Sequence, residues 1–145
     1  MESERLSRNE RWLLVCLTIG LLSCLSVARW LTPDPRGQGT HQQLGLPPCT
    51  SVSILGIRCP ACGMTTSWAL MMEGKVVQAL QTNTGGTLLF MTALFSVPWI
   101  AWVLWTGSRQ AKDHLGIFAL GGSITSLAVA MVLWMWELIG TKLQF

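Results

Sequence analysis

Three cysteines stand close enough along the chain to act together: Cys49, and then Cys59 and Cys62 in the run Cys59-Pro60-Ala61-Cys62-Gly63. Two thiols spaced C-x-x-C can grip one metal ion or close a small disulfide ring. Cys49, ten residues upstream, makes the set three, one ligand short of a closed structural zinc site. His41 is the only histidine in the same stretch and is a weak fourth candidate. The sulfurs therefore point to zinc held by Cys49, Cys59 and Cys62, or to a disulfide among them, and spacing leaves both open. Pro60 suits a helix start, and thiols at a helix N-terminus feel the positive end of the dipole, which lowers their pKa. Gly63 accepts left-handed backbone angles, which lets the chain turn back toward sulfur. Each feature serves metal binding and redox chemistry alike.

The stretch resembles a bacterial family of small membrane proteins of unknown function. That family's signature runs C, a short apolar loop with Gly, C-P-x-C-G-x-T-R, a helix, Gly, and A-x-x-x-N-P before a span. The resemblance is carried by Cys49, Gly56, Cys59, Pro60, Cys62, Gly63, Thr65, Gly74, Ala79 and Asn83. Two positions depart from it: Thr66 stands where the family has Arg, and Thr84 where it has Pro. An Arg beside thiolates would stabilise them or bind an anion, so no role resting on that charge carries over. The resemblance implies no activity.

The elements that must position these sulfurs are those of a membrane protein. Half of the 145 residues are hydrophobic and 12% are charged, well below an ordinary soluble domain. Three apolar segments, about 12–31, 85–105 and 115–136, have the roughly 20 residues that a helix needs to cross a ~30 Å hydrocarbon core. Within lipid the backbone must satisfy itself segment by segment, so the spans read as helices and the fold as a single all-α membrane domain over 1–145. Residues Arg5, Arg8 and Arg11 with "SVAR" imitate a secretory signal, and "LLSC" a lipid attachment site. The apolar run is longer than a signal core, so the first segment is expected to be a retained helix. Apart from Arg29 at the end of the first segment, no charge sits inside a span, which argues against an ion or proton pathway. The net charge of +3 is scattered without a basic stripe, which argues against nucleic acid.

The 32–84 segment is expected to lie outside the membrane, with the knuckle at 49–63. "TPDPRGQGTHQQLGLPP" reads as an irregular connector without an internal helix, and "CTSVSILGIRC" as a small loop or hairpin turning at Gly56. Beyond Cys62, the spacing of Trp68, Met72, Val76 and Leu80 predicts short amphipathic interfacial helices over 64–82, interrupted at Gly74. Asn83 is expected to cap the second span. Arg5, Arg8, Arg11, Arg109 and Lys112 lie in short segments beside the membrane. Arg29, Arg36, Arg58, Lys75 and Lys142 are more spread out, so the N-terminus is expected at the cytoplasmic face of a bacterial inner membrane and 32–84 outside. Gly122, Ser126 and Ala130 form a small-residue stripe for close helix approach, within the chain or with a second copy. Cys16 and Cys24 are expected to act as small buried apolar groups.

Two functions follow from the sulfurs. One is a non-catalytic accessory module whose knuckle organises the extramembrane loop and docks on another membrane protein. The other is a membrane thiol–disulfide oxidoreductase using Cys59 and Cys62, although 50 loop residues without a long strand cannot build the usual βαβ redox domain.

Overall fold

The computed structural model describes residues 5–142, with side chains through residue 140, so the Lys142 charge counted toward orientation lies outside the described side chains. Six α-helices follow one another: α1 (Arg8–Trp30), α2 (Thr50–Leu55), α3 (Met64–Met72), α4 (Val76–Thr82), α5 (Thr84–Thr106) and α6 (Arg109–Lys142). Three of them, α1, α5 and α6, are long and apolar enough to cross a membrane. Among the described residues there is no strand, only an isolated bridge between Arg5 and Ser108.

Helix α1 starts in a capping box. Ser7 Oγ accepts the Glu10 N–H at 3.3 Å and Glu10 Oε2 accepts the Ser7 N–H at 2.8 Å, so two N–H groups left over by the helix start find partners. The same Glu10 takes the ammonium of Lys112 at 2.6 Å, and the Leu6 N–H donates to the Gly107 carbonyl at 3.0 Å. The N-terminal segment and the α5–α6 turn therefore meet at one end of the bundle. A core of Leu6, Leu14, Ile100, Val103, Ala111 and Leu115 closes over that junction. At the far end the Trp134 indole donates to the Arg58 carbonyl, which puts the cysteine-bearing segment beside the C-terminal half of α6.

The Gly122, Ser126, Ala130 stripe works inside the chain. A methyl group on Gly85 would lie 2.6 Å from Ala130 Cβ, and one on Gly122 would lie 2.5 Å from Thr92 Oγ1, so α5 and α6 approach as closely as backbones permit. Ser126 Oγ donates to the Gly85 carbonyl across the same contact. The outward faces carry Leu13, Ile19, Phe95, Ile117, Ile124 and Val132, all exposed, consistent with lipid around the bundle.

The 115–136 segment lies within α6, which already starts at Arg109, with Lys112 in its first turns paired to Glu10. Several local expectations need correction. The connector after α1 was expected to hold no helix, yet Thr40–Leu44 forms a 3-10 turn between left-handed Gly39 and Gly45. Its first residue, Thr40, is fully buried, which anchors the turn. The loop or hairpin expected after Cys49 is helix α2, ended by left-handed Gly56. Its alternation of apolar residues misled because none of the helix is buried: Ile54 is 75% exposed and Leu55 is 67% exposed.

The break at Gly74 is where the sequence put it, with φ of 76°. Thr66, Ser67, Ala69 and Leu70 turn inward from α3 and Ala79 from α4, while Val76 and Leu80 face out. Small groups win because α3 lies against the glycine-rich start of α5: a methyl on Gly86 would sit 2.7 Å from Ser67 Oγ. Cys16 and Cys24 are exposed on the outer side of α1 rather than buried.

Candidate metal centre

Four backbone and side-chain devices bring the knuckle into shape. Residues 60–63 form a turn ahead of α3, with the Cys62 N–H on the Cys59 carbonyl at 2.9 Å and the Met64 N–H on the Ala61 carbonyl at 3.1 Å. Gly63 leaves this turn at φ of 83°, and a methyl group there would stand 2.6 Å from the Gly37 carbonyl oxygen. Only glycine meets both demands, the left-handed angle and the close approach of the preceding loop. The helix thus begins at Met64, two residues after Cys62.

Asn83 holds the turn from below. Its Nδ2 donates to the carbonyls of Pro60 at 3.1 Å and Cys62 at 2.9 Å, while its Oδ1 accepts the Gly86 N–H at 2.6 Å. One amide therefore caps the membrane-spanning α5 and grips the knuckle. The cap was legible in the sequence; the grip was not.

The 32–40 loop covers the other side. Asp34 accepts the Arg36 N–H at 2.9 Å and its guanidinium at 3.0 and 2.7 Å, and Arg36 holds the carboxyl down at about 2. The Asp34 N–H reaches Thr40 Oγ1 at 3.0 Å, and that oxygen in turn lies 2.8 Å from Thr66 Oγ1. Thr66, where the resembled family has Arg, is buried and spent on this contact. Arg58 Nη2 closes the loop onto the Arg36 carbonyl at 3.0 Å.

Cys49 sits at the N-cap of α2, and this brings its sulfur over the turn. Its thiol donates to Cys59 Sγ at 3.6 Å, and the sulfurs of Cys49, Cys59 and Cys62 all lie within 4.8 Å of one another. Tetrahedral zinc with Zn–S near 2.3 Å sets its sulfurs roughly 3.8 Å apart. The Cys49–Cys59 pair is at that spacing, and Cys62 lies within 4.8 Å of both. The Cys62 thiol also donates to Gln38 Oε1 at 3.7 Å, a partner that no sequence signal marked.

The thiols differ in acidity. Cys49 is lowered to about 7, first by the amide of Val52 in the open first turn of α2 and then by the Cys59 thiol. Burial pushes Cys62 up to about 11. The three sulfurs face a cavity of about 320 Å³, lined also by Gln38, His41 and Gln42. His41 shares that cavity but is not within the sulfur cluster; its Nε2 lies 3.2 Å from the Pro47 carbonyl.

Residues 49–97 match a family model described as a protein of unknown function (DUF2752). The match covers a third of the chain, from Cys49 through the knuckle, α3 and α4 into α5, and it bears out the resemblance to a family without a known activity. No curated protein and no solved structure matches the chain.

Proposed function

We propose that the chain is an accessory membrane protein whose Cys49, Cys59 and Cys62 hold one ion of the zinc class, and that the ion fastens the extramembrane segment into a fixed docking surface rather than driving catalysis. The carrying observation is the mutual approach of the three sulfurs within 4.8 Å. A disulfide would use two of them and leave the third over, whereas a metal uses all three. Thiolates select zinc and similarly soft ions over magnesium or calcium. The coordination would join the start of α2 to the turn before α3, two places otherwise joined by the intervening chain and the Cys49–Cys59 thiol contact.

The surface so fixed carries exposed Leu46, Ile54, Leu55 and Ile57, an apolar set suited to another membrane protein beside the bilayer. The basic residues Arg5, Arg8, Arg11, Arg109 and Lys112 gather at the opposite end, which supports a cytoplasmic N-terminus and an external metal module in a bacterial cytoplasmic membrane.

The test is metal analysis of the full chain purified in detergent. About one zinc per chain is expected, and a Cys59→Ser variant that keeps its helix content should bind it at least tenfold more weakly. Zinc-free wild-type protein after zinc loading and desalting would refute the proposal.

A further inference from the structure

The metal cluster contains one sulfur pair that is already directed at itself. Cys49 donates its thiol to Cys59, and the 3.6 Å between the sulfurs exceeds a disulfide bond by about 1.5 Å. The C-x-x-C partner, Cys62, lies within 4.8 Å of both, but its thiol donates to Gln38. Its main chain is also held: the Cys62 N–H is on the Cys59 carbonyl and its own carbonyl is on Asn83. Cys49 lies at the N-cap of α2, a helix with no buried residue and a glycine exit, so this element can yield by the distance required.

We propose that oxidation of the reduced site joins Cys49 to Cys59, not Cys59 to Cys62, and that this disulfide switches off metal binding. The oxidant is a small-molecule disulfide, for which the cavity of about 320 Å³ over the sulfurs has room. Both thiols lose their protons, one sulfur–sulfur bond forms between Cys49 and Cys59, and two electrons pass to the oxidant. The oxidant's own sulfur–sulfur bond breaks, and it leaves as two thiols carrying the two protons. Cys62 stays a thiol. With two of three ligands withdrawn, Cys62 alone cannot hold the ion. The metal-release half of this proposal rests on the function proposed above; the pairing does not.

Reduced full-length protein in detergent is treated with oxidised glutathione, its remaining thiols are alkylated, and peptides are mapped without reduction. A Cys49–Cys59 cross-linked peptide with alkylated Cys62 is expected, and zinc bound per chain should drop at least tenfold and return on reduction. A Cys59–Cys62 cross-link, or stable glutathione adducts in place of an internal disulfide, overturns the pairing. Retention of zinc by the Cys49–Cys59 form overturns the switch. Zinc binding by the reduced protein is measured separately. Its failure with the Cys49–Cys59 peptide present removes the metal reading and the switch, and leaves the pairing standing.

Discussion

The side-chain amide of Asn83 donates to the carbonyl of Cys62 at 2.9 Å. Because its oxygen caps α5 at the same time, the residue that begins a membrane span also sets the height of the sulfur cluster above it.

This double role can be separated. Asn83→Asp keeps an acceptor for the helix N-terminus and loses both N–H donors to the knuckle. Two neutral hydrogen bonds at ~1 kcal/mol each predict a roughly tenfold or greater fall in zinc affinity, read by competition with a chelator. Helix content should hold. Equal affinity in the two proteins would mean that the amide grip does not position Cys62.

Acidity gives a second prediction. In metal-free, reduced protein the thiolate is the reactive form. Cys49, held at about 7, should gain alkylation rate as pH rises through that value, whereas Cys62, pushed up to about 11, should lag by several pH units. The sign is that of acids: lowering the pKa moves ionisation to lower pH and raising it delays ionisation. Peptide-resolved alkylation rates between pH 6 and 10 check this, and a Cys62 that reacts before Cys49 contradicts it.

Close approach of α5 and α6 gives a third. Gly85→Val forces a side chain into Ala130, for which overpacking costs typically about 1–3 kcal/mol. Thermal unfolding in detergent should drop by several degrees. Gly116→Ala, where an added methyl meets nothing within 4 Å, should leave the midpoint unchanged. A similar loss in both variants would argue that the helices are not in contact at Gly85.

Much of this was legible because lipid imposes strict rules. Twenty apolar residues must be a helix, so α1, α5 and α6 followed from composition, and Asn83 and Gly74 from local chemistry. The convergence of Cys49 with Cys59 and Cys62 was expected from residue type alone and is present. What the sequence hid depends on contacts distant along the chain. Gln38 meets Cys62 across 24 residues, and Thr40 meets Thr66 across 26. Neither belongs to a periodic pattern. The misreading of α2 has the opposite cause: a pattern of apolar residues was present, but its face is exposed, so the periodicity reported no core. The inward face of α3 carries threonine, serine and alanine beside Leu70, which no apolar pattern marked, since α3 packs closely on the glycine-rich start of α5.

The central claim is that three sulfurs of this chain share one metal ion. X-ray absorption at the zinc edge of the loaded, full-length protein measures this directly. Three sulfur neighbours at about 2.3 Å, falling to two in Cys49→Ser, are predicted. A zinc shell of nitrogen and oxygen alone, or a sulfur count that Cys49→Ser leaves unchanged, would contradict the account.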